Sequence, residues 1–489
     1  MRNGCCPGLQ WEPTGRLDRP CRFALATTFH PPERTLPSCP LPPDQRAIAM
    51  FGTSRTPRSV WTKVPSLGIS MHARTWRGSM EGHGKAPIVL VHGLGLSSRY
   101  MVPLGRRLAL GYDVLAPDLP GFGSSPPPAG ASWPAGPDVR EQADHLLAWM
   151  DACGIQRAVL FGNSVGVQVV VDVAVRFPER VERLILTGPT PDPRYRTPAR
   201  QYPLVVMNMP FELPSLNPIM QADYASAGIP RMIQQLRRTV GDPIETRLPD
   251  VQAPALVVRG EHDMTLSQEW AEEFTRLLPN GRLVVVEGAA HNVHYSAAQI
   301  TARLVHSFLQ GQLDWPLPAP ADGTVVPASD ARHDPLAPTK PISTLAHGVL
   351  DYLTAAFCLT VPRAMGWGPR TEKLLAMNGL MATSYSLFTD YELGAARKLP
   401  MTVHLNMDAG SGVNLLLAAA TTLRGEPAAG RVAVAALGLF HLFAASATQV
   451  PMGPARLVPV GGQPVLGQTG ADQEAAPVRQ ERARDMATT

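Results

Sequence analysis

Gly162-Asn163-Ser164-Val165-Gly166 follows the apolar run Ala158-Val159-Leu160-Phe161 and precedes an apolar helical pattern from Val167 to Phe177. The order is strand, sharp turn, helix, with a serine at the apex. Glycines flank such a serine because the turn is too tight for a Cβ on either side. A turn of this kind lifts the hydroxyl off the sheet edge and aims the next backbone N–H at a reacting centre. A serine hydroxyl is a poor nucleophile at neutral pH, so the reading requires a base in reach and a group that orients the base.

The flanking sequence supplies both. Leu256-Val257-Val258-Arg259-Gly260-Glu261-His262-Asp263 is a strand entering a loop that ends in a carboxylate. Leu283 to Val286 is a further strand, and Glu287-Gly288-Ala289-Ala290-His291 is a loop that ends in histidine. His294 lies close behind His291, and Asp192 follows the strand Leu184–Thr187, so each offers an alternative base or acid. Asp263 is preferred because it closes a strand–Gly–loop unit, and His291 because it directly follows the Gly-Ala-Ala turn.

Around these motifs, apolar runs alternate with helical patterns. Val60–Val64 and Ile69–Trp76 read as a hairpin across Pro65-Ser66-Leu67-Gly68. Further strands are expected at Ile88–Val91, Tyr112–Ala116, Arg157–Phe161, Leu184–Thr187, Ala255–Val258 and Leu283–Val286. Helices are expected at Arg99–Leu110, Val139–Cys153, Val167–Phe177, Ser267–Leu278 and Ala297–Leu309. That alternation implies an α/β fold, a mostly parallel sheet covered by helices on both faces. The interval from about 189 to 251 is too long for a plain crossover. Tyr202–Met209 and Tyr224–Val240 read there as helices of a cap, rich in Met and Leu (Leu204, Met207, Met209, Phe211, Leu213, Leu216, Ile219, Met220, Met232).

Residues of about 60–312 resemble the α/β-hydrolase superfamily. The resemblance rests on His92-Gly93, on Asp118-Leu119-Pro120-Gly121-Phe122-Gly123-Ser124-Ser125, on the Ser164 turn, and on the Gly-Glu-His-Asp and Gly-Ala-Ala-His loops. It implies Ser164 as nucleophile, His291 as general base and Asp263 as orienting acid. It implies an oxyanion hole from the backbone N–H groups of Leu94 and Val165, with His92 in a structural role. The expected activity is cleavage of an ester, thioester or related acyl bond of a small apolar substrate, with no cofactor and no metal. C–C bond hydrolysis, cofactor-free haloperoxidase chemistry and non-catalytic ligand binding are the alternatives. Gly-Asn-Ser resembles the elbow of hydrolases acting on ring-fission products of aromatic degradation. Val165-Gly166-Val167 and the lack of a Gly-Gly-Gly turn depart from that pattern.

With 489 residues the chain is long enough for more than one domain, and a net charge of +4 without basic blocks gives no footprint for nucleic acid. Four of the six cysteines lie in the first forty residues, so the hydrolase region has no disulfide framework. Residues 1–55 read as a disordered extension without a signal peptide, and 313–341 as a Pro-rich linker. Residues 342–455 carry four apolar segments, Leu345–Val361, Leu374–Thr389, Ala409–Leu423 and Val432–Ala455, followed by a polar, disordered tail at 456–489. His347-x-x-x-Asp351 recurs as His404-x-x-x-Asp408, which puts His and Asp on one helix face twice. The repeat resembles small bacterial four-helix membrane modules of the SPW-repeat kind, and implies a transmembrane module whose His and Asp pair inside the bundle. A soluble bundle is the rival, and a metal site from these four residues is a further alternative. The expected arrangement is a membrane-associated protein with its hydrolase domain, residues 56–312, in the cytoplasm. A chain ending near Gln312 is then expected to be soluble and active.

Overall fold

The computed structural model describes residues 56–78, 85–128, 136–312, 325–326 (backbone only) and 340–460. The described residues all fall within one compact unit. The readings of residues 1–55, and of the linker apart from 325–326 and 340–341, lie outside the described residues.

Ten strands form one sheet: β1 (Arg58–Val64), β2 (Ile69–Trp76), β3 (Ile88–Val91), β4 (Val114–Pro117), β5 (Ala158–Asn163), β6 (Val181–Thr187), β7 (Ala255–Gly260), β8 (Gly281–Val286), β9 (Val325–Val326) and β10 (Ala455–Val458). Their spatial order is β1-β2-β4-β3-β5-β6-β7-β8-β10-β9. β1 and β2 form the expected antiparallel hairpin, with Val64 opposite Ile69. From β4 to β8 every pairing is parallel. Apart from half-buried Glu182, Arg183 and Arg282, their residues are buried on both faces, as the Val/Ile/Leu runs require.

Helices α1 (Val102–Leu108), α2 (Val139–Ala152), α3 (Val165–Arg176), α7 (Gln268–Leu277), α8 (Val293–Ser296) and α9 (Ala298–Leu309) belong to this layer; α4 (Pro198–Asn208), α5 (Asn217–Ala227) and α6 (Ile229–Val240) form the cap. Two hydrophobic clusters, one containing Trp149, Phe274 and the valines of α3, the other Trp76, Tyr100 and Phe308, form the core. The expected single helix Tyr224–Val240 is two helices. Gly228 between them has φ +81° and Pro230 occupies the first turn of α6, so the backbone turns where apolar periodicity runs straight through.

The C-terminal region folds into α10 (Thr344–Ala364), α11 (Pro369–Phe388), α12 (Met401–Ala420) and α13 (Ala428–Ala447). α10 packs on α11 and α12 on α13. Close approach depends on small residues: a Cβ on Gly412 would lie 2.7 Å from the Gly438 carbonyl. Two of the described helices, Thr344–Ala364 and Ala428–Ala447, are long and apolar enough to cross a membrane.

The last apolar run does not continue to Ala455. Its helix ends at Ala447, Pro451 and Pro454 follow, and Ala455–Val458 pairs antiparallel with β8 from Val286 to Leu283. The described part of the region expected as a disordered tail therefore contributes an inner strand to the hydrolase sheet. Sequence patterning missed it because four residues carry too little periodicity to mark a strand.

Candidate active site

β5 ends at Asn163, and Ser164 carries φ +55° and ψ −120° at the N-terminus of α3. Such a backbone costs a non-glycine residue about 1–3 kcal/mol, and persists only where the surroundings fix it. Here they do. A Cβ on Gly162 would lie 2.6 Å from the Gly166 carbonyl oxygen, and one on Gly166 would lie 2.4 Å from that of Val91. Both glycines of the turn are thus required by contact. Asn163 is held as well: its Oδ1 accepts from Tyr100 Oη at 2.9 Å, and Tyr100 Oη accepts from Gly93 N–H at 2.7 Å. One network braces the elbow and the turn after β3 together.

The turn at Val91-His92-Gly93-Leu94-Gly95 is built around His92. Its Nε2 accepts from Leu119 N–H at 3.0 Å, so its Nδ1 carries the proton and donates to Gly93 O at 2.9 Å. Burial lowers the His92 pKa, which fits a neutral, structural ring. Asp118 ties down the neighbouring loops, accepting from His72 Nδ1, Ser98 N–H and Ser124 N–H at 2.8, 2.6 and 2.9 Å. Burial would raise its pKa, but those donors outweigh burial and hold it well below the ordinary carboxylate range. Among the described hydrogen bonds none uses the N–H of Leu94 or of Val165, and both residues line the pocket that contains Ser164.

Asp263 and His291 meet above the ends of β7 and β8. His291 Nδ1 lies 2.8 Å from Asp263 Oδ2 and 2.8 Å from Thr265 Oγ1. Thr265 Oγ1 itself donates to Asp263 Oδ1 at 2.7 Å, so the shared proton sits on His291 Nδ1 and leaves Nε2 as the basic nitrogen. Burial lowers the His291 pKa, but the charge and hydrogen bond of Asp263 prevail and raise it. Burial likewise opposes ionisation of Asp263, and His291 and Thr265 together lower its pKa. The His291 ring packs over Gly188, where a Cβ would lie 2.6 Å from Cε1. Ser164 Oγ lines the same pocket; its one described contact is Thr190 Oγ1 at 3.5 Å. A loose hydroxyl without substrate is common in such sites.

The alternatives are elsewhere. His294 is buried with its ring edge-on to Tyr100 at 4.6 Å, and both its nitrogens lack partners; burial pushes its pKa down to about 3. Asp192 is engaged by Arg194 and by Ser267 Oγ at 3.0 Å. Of the Met and Leu residues of the cap, Met209 and Met220 line the pocket, with Val205, Leu236 and Val240, whereas Met207 is exposed and Leu216 packs in the core.

One residue went unnoticed in the sequence. Glu212, fully buried, lines the pocket from the cap. Its Oε1 accepts from Asn208 Nδ2 at 2.8 Å, Asn292 N–H at 3.0 Å and Asn292 Nδ2 at 2.9 Å, while Oε2 has no partner. Burial raises its pKa against the lowering influence of His291 and these donors. The signal was a lone carboxylate four residues after Asn208 within an otherwise apolar stretch. The cap is bonded to its surroundings at this segment. Asn406 of α12 donates to Glu212 O at 2.7 Å and Pro210 O at 3.0 Å, and accepts from Asn217 Nδ2 at 2.8 Å.

Residues 88–304 match the model of the Alpha/beta hydrolase family, spanning β3 to α9. The chain carries an α/β-hydrolase domain. Similar proteins include the 2-hydroxymuconate semialdehyde hydrolase of Pseudomonas putida, 28% identical over 50% of this chain and 95% of that protein. A Pseudomonas savastanoi pv. phaseolicola protein provisionally named carbamate hydrolase RutD is 29% identical over 47% of this chain and 96% of its own length. Among solved structures, the 2-hydroxy-6-oxo-6-phenylhexa-2,4-dienoate hydrolase BphD of Rhodococcus sp. strain RHA1 aligns at 21% identity with a TM-score of 0.43, covering 52% of this chain and all of that one (100%). The relatives are hydrolases, and their likeness supports hydrolysis of a small molecule by the α/β-hydrolase domain.

Proposed function

We propose that the α/β-hydrolase domain is a serine hydrolase in which Ser164, His291 and Asp263 form the catalytic triad. The observation that carries this reading is His291, hydrogen-bonded to Asp263, lining the same pocket as a serine on a strained elbow. Ser164 Oγ attacks a carbonyl carbon and passes its proton to His291 Nε2. The N–H groups of Leu94 and Val165 receive the oxyanion, each hydrogen bond strengthening as charge develops. As the tetrahedral intermediate collapses, the carbon–leaving-group bond breaks and His291 returns the proton to the leaving group. Water, activated by His291, then cleaves the acyl-enzyme to the acid and free Ser164. Asp263 holds the imidazole tautomer and stabilises the imidazolium without itself accepting the proton.

The apolar part of the lining, Leu96, Val205, Met209, Met220, Leu236 and Val240, favours an apolar acyl group, while Gln201, Asn208 and the buried carboxyl of Glu212 give the cap side a polar patch. Cleavage of an activated C–C bond is the second reading, supported by the likeness to the Pseudomonas putida enzyme. A fluorophosphonate probe should label the chain at Ser164, and Ser164→Ala should abolish both labelling and turnover of p-nitrophenyl esters. His291→Ala should cost nearly as much as Ser164→Ala because the two act as a unit. Failure of the probe to label intact protein would refute the activated serine.

The C-terminal helices support a membrane-spanning module. Leu353, Leu380, Leu417, Leu439 and Phe443 point outward, each more than half exposed, while His347, His404, Asp408 and Asn378 are buried inside. A soluble bundle would reverse that distribution. The full chain should fractionate with membranes and require detergent; recovery in a salt-only extract would overturn this part of the reading.

A further inference from the structure

The repeated His-x-x-x-Asp motif converges on one point between α10 and α12. His347 Nε2 lies 3.2 Å from His404 Nε2, 2.9 Å from Asp408 Oδ2 and 3.3 Å from Asp351 Oδ1. His404 Nε2 lies 3.1 Å from Asp351 Oδ2 and 3.3 Å from Asp408 Oδ2. The four ligand atoms all fall within 4.8 Å of one another.

The protons around this point are fixed by the helix ends. Thr448, which caps α13, donates its hydroxyl to Ala444 O at 2.7 Å; its Oγ1 lies 2.7 Å from His347 Nδ1 and can only accept there. Thr389, which caps α11, donates to Tyr385 O at 2.7 Å and in the same way accepts from His404 Nδ1 at 2.7 Å. Both histidines therefore carry the proton on Nδ1 when neutral, and both Nε2 lone pairs face the centre. Two lone pairs at 3.2 Å repel unless something positive lies between them. Two carboxylates point at the same place, and no described ion pair brings a Lys or Arg to either one. The surrounding groups that face them are Tyr385, whose hydroxyl donates to Asp408 Oδ1, Ser386, which donates to Asp351 Oδ2 at 3.2 Å, and His441, at 3.5 Å from Asp408 Oδ1.

We infer that His347, Asp351, His404 and Asp408 form a binding site for a divalent first-row transition-metal ion, best matched by zinc. Bonds of about 2.1 Å in a tetrahedral zinc site give ligand–ligand edges of about 3.4 Å; the pairs here, counting both oxygens of Asp351, run from 2.9 to 3.3 Å, and one ligand atom from each residue falls within 4.8 Å of the others. Two neutral imidazoles and two carboxylates around a dication sum to zero charge, which suits burial. Nδ1–H to threonine is the kind of outer contact that fixes the tautomer and ring direction of a ligating histidine. The site draws one His–Asp pair from each helical hairpin and one threonine from the end of each, so the internal repeat builds it as a pseudo-twofold unit.

The test is elemental analysis of the full-length protein, purified in detergent from cells grown with zinc, and in parallel with manganese or iron. About one equivalent of zinc is expected, exchangeable for cobalt with the visible absorption of a four-coordinate cobalt ion. The double variant His347→Gln/His404→Gln should lose it. Thr448→Val keeps all four ligands and should weaken binding about 10–100-fold in chelator competition. It decides the matter if the double variant fails to show a cooperative melt. A metal-free full chain from all three media would overturn the inference, the centre then being a protonated histidine between carboxylates. Metal retained undiminished in a folded double variant would overturn it equally, by placing the ion elsewhere, for example on the N-terminal cysteines.

Discussion

Replacing Glu212 in two ways separates its charge from its hydrogen bonds. Glu212→Ala deletes the acceptor of three buried donors, Asn208 Nδ2, Asn292 N–H and Asn292 Nδ2. Each orphaned donor costs about 1–3 kcal/mol, so the sum begins near 3 kcal/mol; water entering the pocket should keep it below about 6 kcal/mol. Glu212→Gln keeps the acceptor and places an amide where Oε2 now has no partner. A neutral carboxylic acid already presents an O–H or a bare oxygen there, so Gln should match the wild type at low pH. The pKa of Glu212 is raised in the folded protein because burial dominates. The folded state thus binds the proton more tightly than the unfolded state, and wild-type stability falls as pH rises from the ordinary glutamate value through the raised one. The Gln variant has no charge to bury and should become the more stable of the two across that window. Thermal melts of wild type, Gln and Ala at a series of pH values provide the assay. If Gln proved as destabilising as Ala, and the gap did not change with pH, Glu212 would have to be an ion that the pocket requires, and the reasoning from burial would fail.

Leu94→Pro removes one oxyanion N–H and should lower ester turnover on the order of a hundredfold, with substrate affinity less affected; an equal loss from Leu94→Ala would shift the role to the side chain. Asp118 has a lowered folded pKa, so the stability it contributes is present above the unfolded value of about 3.9 and is lost as pH falls through the folded one. Asp118→Asn should therefore flatten the acid limb of a melting-temperature profile, and an unchanged limb would count against its ionisation. A chain ended at Gln312 should now be less stable than the full chain and prone to aggregate, because it bares the edge of β8 where Ala455–Val458 pairs. Adding residues 449–460 back through a short linker should restore the melting temperature; a truncated chain as stable as the whole would show β10 to be dispensable.

Much of the hydrolase fold was legible because it rests on local signals. Runs such as Ile88–Val91 and Leu283–Val286 can only be strands buried on both faces, and Gly162-Asn163-Ser164-Val165-Gly166 can only turn sharply between strand and helix. The Asp263 and His291 loops could be recognised by their position at strand ends. The preference for His291 over His294 comes from its place directly after the Gly-Ala-Ala turn; packing adds that one ring lies against a carboxylate and the other edge-on to Tyr100. Glu212 was invisible because its significance lies in Asn292, eighty residues away, and in its burial. β10 was invisible because a four-residue strand is specified by the open edge of β8, not by its own pattern. The repeat of His and Asp could be read at once from their spacing, which put each pair on one helix face. Spacing admitted a site shared by all four residues but could not decide whether the two pairs converge on a single point. That depends on two hairpins packing as near copies, with Thr389 and Thr448 at their ends turning the two imidazoles inward, and it is a property of the packed bundle alone.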